Sequence, residues 1–348
     1  MRRAGRRVGR RTAPATPTRA VVLALAAVLA LAAALTLAGC AGAGSPAGPA
    51  GTAADCGADV PGLTRTTVPV GNGVVLHVAT GGPTRPNSPS SPSSPSAPVV
   101  LLHGFPETWR TWRAVATDLL ADHRVVVPDL RGVGCSSLAP AGTDAYDKRA
   151  LAGDLAALAT ALHLPPAVVV GHDMGAMTAF AWARTRPDQV AHLVLSGGGI
   201  PGHGLAELGP EHLRTFAAPP GVVAAGVGGD VRGFLTGFVG DPAVTASGSL
   251  DDAVRAYSRP GRLDAALGQY RALARDAAVE GPDATPLPMP VTTEEGEGAG
   301  VPGISTRTVR ALAPRLREVV VAGAGHYVQE DRPADVARAV RDAAASGP

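Results

Sequence analysis

"VVVGHDMGAM", residues 168–177, is a short apolar run, then a turn flanked by two glycines, then the start of a helix. A strand–turn–helix of the form glycine-x-nucleophile-x-glycine presents its central side chain at the tip of a tight turn. Gly171 and Gly175 are required there because a Cβ on either would collide with a neighbouring strand or helix. The side chain so presented is Asp173. If Asp173 merely capped the helix, the paired glycines would have no purpose. A carboxylate at this tip narrows the chemistry. Attack on an acyl carbon would give an anhydride, whereas attack on an sp³ carbon bearing a leaving group gives an ordinary ester.

Outward from the turn the chain alternates between apolar runs and helical patterns. "VVLLHG" (99–104), "HRVVVPDL" (123–130) and "HLVLSGG" (192–198) are further strands; "YDKRALAGDLAALATALHL" (146–164) and "AMTAFAWARTRPDQV" (176–190) are helical. Near-continuous Val/Leu strands alternating with helices predict an α/β fold, its mostly parallel sheet covered on both faces. The alternation stops after Ile200 and resumes at "MPVTTEEG" (289–296). Residues 64–200 and 287–348 are thus predicted to form a core, with 201–286 inserted as a helical cap. Gly71-Asn72-Gly73 between two alternating runs predicts a hairpin. The Ser/Pro tract 83–98 is too polar to pack and reads as a disordered surface loop.

Other residues gather around this frame. "HGFPETW" (103–109) follows a strand, and a strand ending in His-Gly places backbone N–H groups where negative charge develops. Phe105 and Met174 are the expected donors, and His103, Trp109 and His172 beside them are further candidates for the binding site. "VVVAGAGHYVQEDRP" (319–333) puts His326 on a glycine-rich loop, late in the chain order nucleophile, acid, histidine, as a general base. The acid that orients it is sought at the end of the preceding strand, where "TTEEGEG" (292–298) offers Glu294, Glu295 and Glu297. Glu297, 29 residues before His326 and just past the strand, is the first choice.

The termini and the charge speak to location. Seven arginines and no acid fall in the first 39 residues, ahead of the apolar stretch "AVVLALAAVLALAAALTLAGC" (20–40). The rest of the chain is mildly acidic, so no nucleic-acid partner is expected. The apolar stretch is long enough to cross a membrane as an uncleaved anchor. Its ending, "LAGC" (37–40), resembles the bacterial lipobox, which implies removal of residues 1–39 as a signal peptide and lipidation of Cys40. The expected location is then the outer face of the cell membrane, held by lipid. Residues 40–63, small and Gly/Pro-rich, read as a flexible tether. Cys56 and Cys135 either pair or remain free; spacing does not decide.

Taken together, "HGFPETW", "PDLRGVGCSS" (128–137), "GHDMGA" (171–176), "AYSRPGRLDAALGQYRA" (256–272) and "GHYVQEDRP" (325–333) resemble the epoxide hydrolase group of the α/β-hydrolase fold family. The resemblance runs from about residue 64 to 345. It implies an eight-stranded sheet, a helical cap and a two-step mechanism through an ester on Asp173, with no cofactor or metal. It also implies a ring-opening tyrosine in a cap Tyr-Arg pair, matched by Tyr270. Relatives carry a second donor earlier in the cap; in "RTFAAPPGVVAAGVGG" (214–229) there is none, and His212 lies slightly early. Haloalkane dehalogenases usually have Asn and Trp where Phe105 and Met174 stand. Fluoroacetate dehalogenases have arginines where Met174 and Met177 stand. Both readings are therefore disfavoured. With 3% aromatic residues, the pocket is expected to be aliphatic and to take a small, neutral, hydrophobic substrate together with water. A catalytically degenerate, lipid-anchored binding protein is the contrary expectation.

Overall fold

The computed structural model describes residues 56–83, 97–139, 146–281 and 283–346. Among them eight strands form one sheet: β1 (Leu63–Gly71), β2 (Val74–Gly81), β3 (Val99–Leu102), β4 (Val125–Pro128), β5 (Ala167–His172), β6 (Val190–Ser196), β7 (Val291–Gly296) and β8 (Leu316–Val321). Their spatial order is β1-β2-β4-β3-β5-β6-β7-β8. The pairs β1–β2 and β2–β4 are antiparallel, and the remaining five pairs are parallel. The hairpin turns through Asn72 and Gly73, both at positive φ, as a two-residue connection of this kind demands.

The Val/Leu runs are buried on both faces because they alternate between two apolar layers. Val99 and Leu101 of β3 pack with Trp112, Val115, Leu119, Val336 and Val340. Val100 and Leu102 pack on the opposite face with Leu155, Ala176 and Phe180. The first layer is supplied by α1 (Arg113–Leu119) and the C-terminal helix Pro333–Ala345, the second by α2 (Lys148–Ala161) and α3 (Met174–Thr185). Each fully buried Val or Leu contributes about 1.5–3 kcal/mol, so the sheet is a stiff platform for the loops at its C-terminal edge.

Between β6 and β7 the described residues hold eight short helices, from Leu205 to Glu280, within the predicted cap insert. The cap's own apolar cluster includes Phe216, Leu235, Tyr257, Leu267 and Tyr270, and it closes over Phe105, Met174 and Met177 of the core.

The N-terminal boundary differs from the sequence expectation. Cys56 is joined to Cys135 by a disulfide, Val60 is buried, and the Trp109 indole donates to the Cys56 carbonyl at 3.0 Å. The packed chain therefore begins by residue 56, and the end of the supposed tether belongs to the domain. Low hydropathy hid this, because a covalent link and one buried valine hold the strap without an apolar run. The residues expected to form a signal peptide, with Cys40, and most of the Ser/Pro tract lie outside the described residues.

Candidate active site

Sterics at the end of β5 dictate the turn. Asp173 sits at φ 52°, ψ −117°, a left-handed conformation that costs a non-glycine residue about 1–3 kcal/mol. A Cβ on Gly171 would lie 2.3 Å from the Gly175 carbonyl oxygen, and one on Gly175 would lie 2.4 Å from that of Leu102. A Cβ on Gly104 would lie 2.5 Å from the Asp173 Cβ. These three glycines let β3, β5 and α3 converge on one carboxylate. Asp173 makes no capping bond to α3; the Phe105 N–H instead donates to its Oδ1 at 3.0 Å. The Met174 N–H, first in α3, is one of those the helix cannot satisfy itself.

His326, on the loop after β8, brings Nε2 to 3.9 Å from Asp173 Oδ2. That is longer than a hydrogen bond, as is common before substrate tightens a site. Burial pushes the His326 pKa down to about 4, and the neighbouring His172 pushes the same way, against the pull of Asp173. The ring is thus neutral and able to accept a proton at physiological pH.

Glu297, the first choice for the acid that orients His326, does not bond the His326 ring. Its carboxylate is exposed and accepts from the Gly323 N–H at 3.1 Å. The strand's alternation sends the other two candidates to opposite faces of β7. Glu295 accepts from the Ser305 N–H at 2.6 Å. Glu294 is fully buried, with both oxygens unpartnered among the described residues, and burial raises its pKa to about 7. Among the described residues no carboxylate accepts a hydrogen bond from the His326 ring.

Three further sequence candidates support the site without lining it. His103 is held between the Gly104 carbonyl (2.8 Å) and the Leu130 N–H (3.0 Å), so it shapes the turn. Trp109 is spent on Cys56 and, through its backbone, on Asp129. His172 is fully buried between Glu107 and the His326 backbone carbonyl. All three side chains point into the protein because their polar atoms are already satisfied there.

Above Asp173 lies a cavity of about 850 Å³. The expectation of aliphatic walls holds only in part: Met177, Leu205, Leu213, Val239, Val301 and Ile304 line the cavity, but aromatic rings share it. Of the chain's five phenylalanines, Phe105, Phe216, Phe234 and Phe238 line it, with Tyr327. Composition averaged over the chain could not show that its few rings are gathered in one place. Phe105 meets Phe216, Tyr257 and Tyr270 edge-on at 5.3–5.8 Å.

Tyr270 is buried with its hydroxyl unpartnered among the described residues. Burial, then the charge of Asp173, keeps its phenol protonated far above neutrality. His212 lines the cavity while Tyr270 is not among its lining residues; the two rings lie 6.1 Å apart. Burial lowers the His212 pKa, opposed by Asp173, so a neutral imidazole can donate there. Counting residues placed His212 too early; the cap's short helices bring it back over the site. Sequence reasoning also passed over Glu107, although it stands inside "HGFPETW", where an acid within an apolar turn has to find buried partners.

Residues 97–278 match the family described as the alpha/beta hydrolase fold. The chain belongs to the α/β-hydrolase fold family. This hydrolase is 28% identical over 279 residues to the soluble epoxide hydrolase of Corynebacterium sp. (strain C12), covering 75% of this chain and 91% of the relative. It is 31% identical over 317 residues to epoxide hydrolase A of Mycobacterium tuberculosis (strain H37Rv), covering 77% and 94%. The ligand-free structure of epoxide hydrolase CorEH superposes with a TM-score of 0.71 at 25% identity, over 82% of this hydrolase and 99% of that chain.

Proposed function

We propose that this hydrolase opens epoxides to diols through an ester on Asp173. The observation that carries the reading is one carboxylate held from two sides, Oδ1 by the Phe105 N–H at 3.0 Å and Oδ2 facing His326 at 3.9 Å. In the first step an Asp173 oxygen bonds to an epoxide carbon while the ring C–O bond breaks. The alkoxide takes a proton from the Tyr270 hydroxyl, with His212 as second donor. In the second step His326 removes a proton from water, and the oxygen adds to the ester carbonyl. The N–H groups of Phe105 and Met174 bear the oxyanion. Collapse releases the diol and restores Asp173, and the proton on His326 returns to the phenolate. The mixed aliphatic and aromatic walls favour a neutral, hydrophobic epoxide, including one that carries a ring.

A panel of epoxides and haloalkanes tested on the wild type and Asp173→Ala checks this. Diol formation confined to the wild type supports the reading, and halide release in place of diol formation refutes it. We also propose export and lipidation at Cys40. The disulfide fits an oxidising compartment, and Cys40→Ser should release the protein from membranes or leave an unprocessed precursor. An unchanged mature mass in that variant would remove the lipid anchor from the account.

A further inference from the structure

His326 lacks the support expected of a histidine base. No carboxylate of the described residues bonds its ring, and the place beside Nδ1 is taken by a glycine: a Cβ on Gly197 would lie 3.2 Å from that nitrogen. What lies against His326 instead is a second histidine. The rings of His172 and His326 are 4.7 Å apart at 50°, and His172 Nε2 is 2.9 Å from the His326 carbonyl oxygen. The other nitrogen, Nδ1, is 2.8 Å from Glu107 Oε2.

The bonding pattern fixes the charge of His172. A carbonyl can only accept, so Nε2 must carry a proton. Glu107 takes the Gly104 N–H on Oε2 at 2.6 Å, and the Thr111 hydroxyl (2.8 Å) and the Gln329 amide (2.5 Å) on Oε1. A carboxylate with that many donors is ionised, so Nδ1 must carry a proton too. His172 is an imidazolium and Glu107 a carboxylate, both shut away from solvent. The electrostatics agree: the pair holds Glu107 down at about 2 despite its burial, and holds His172 up at about 9.

We propose that the Glu107–His172 ion pair is the positioning element of His326, in place of a carboxylate on its ring. It fixes the base through its backbone carbonyl and sets a positive charge against its side chain. A carboxylate on Nδ1 would stabilise the imidazolium of the base; a neighbouring cation destabilises it. Burial, the larger cause, and this cation together keep His326 neutral in mildly acidic solution, where an ordinary histidine base is already protonated. The exchange is a weaker base, which slows the step that consumes the ester.

Other charges face these rings. Asp173 at the turn and Glu107 itself raise the His326 pKa, and His212 in the cap lowers it. Glu294 of β7 and Asp173 act on His172. Asp331 accepts from the Gly325 N–H beside His326 at 2.6 Å. Among these, His172 is the nearest cation to the base.

The test reads the His326 ring by NMR titration, assigned by comparison with His326→Gln, in the wild type, in His172→Gln and in the double variant Glu107→Gln/His172→Gln. The double variant leaves no unpaired buried charge if the single one folds poorly. Removing a cation raises the pKa of its neighbour, so the His326 midpoint should rise by roughly one unit or more in His172→Gln, and by less in the double variant, which also removes the Glu107 anion that pulls the other way. The acid limb of the turnover profile should move up in pH by the same amount. A midpoint that stays in place or falls while only thermal stability drops makes the pair structural and overturns the proposal. The kinetic arm rests on the epoxide reading and the titration arm does not. A shifted midpoint in a protein that turns over no epoxide would therefore refute the substrate and leave the positioning role intact.

Discussion

The loops of the core and the cap above them meet at one cavity but are specified in different ways. In the core, backbone sterics dictate the arrangement. Gly104, Gly171 and Gly175 each sit where a Cβ would strike a neighbouring residue, so Asp173 has one place to stand. In the cap, short helices position Tyr270 and His212 through aromatic packing against Phe105, Phe216 and Phe238. Side-chain packing tolerates substitution far better than a backbone collision does. The core is thus the fixed half of the site, and the cap is the half in which substrate preference can vary.

The largest expected effect that probes this contrast lies in the cap. Tyr270→Phe keeps the ring and its packing and should lower epoxide turnover about 10²-fold. Combining it with His212→Gln should take the loss toward ~10⁴-fold, because no donor remains. Steady-state rates on one epoxide read this directly. If the double variant is no slower than Tyr270→Phe, His212 takes no part in ring opening, and Tyr270 acts alone.

In the core the corresponding change acts on folding. Gly175→Ala forces a methyl to 2.4 Å from the Leu102 carbonyl oxygen, and a collision between backbones cannot relax by turning a rotamer. A loss of about 3 kcal/mol or more is expected, measured by denaturant unfolding. A loss under about 1 kcal/mol would show that the turn yields, and the two halves of the site would then be equally adaptable.

The smallest effect is expected at Glu297. It is exposed and bonded to Gly323 rather than to His326, so Glu297→Gln should leave turnover within about twofold, since surface changes seldom exceed ~0.5 kcal/mol. A large fall in turnover would return Glu297 to the catalytic machinery and reopen the assignment of the Glu107–His172 pair.

The same contrast explains what the sequence reveals. The turn at Asp173, the strands around it and the loop bearing His326 are readable because glycine spacing and Val/Leu runs are local consequences of tight backbone packing. That none of the three glutamates bonds His326 is not readable in that way. Glu294, Glu295 and Glu297 lie within four residues; the facing of β7 separates the first two, and the third lies exposed just past the strand. His212 depends on how eight short helices fold back. The gathering of the phenylalanines and the Cys56–Cys135 link are contacts between distant segments, and neither leaves a periodic trace. Glu107 was in plain sight, but its meaning comes from His172 and Gln329, 65 and 222 residues away.

The central claim is that Asp173 forms the bond to substrate and His326 serves only its release. Intact mass of His326→Gln after exposure to an epoxide tests it most directly. Without the base the ester should persist, and the protein should gain the mass of one substrate molecule, located on the peptide containing Asp173. A variant that consumes epoxide while Asp173 remains unmodified would contradict the account.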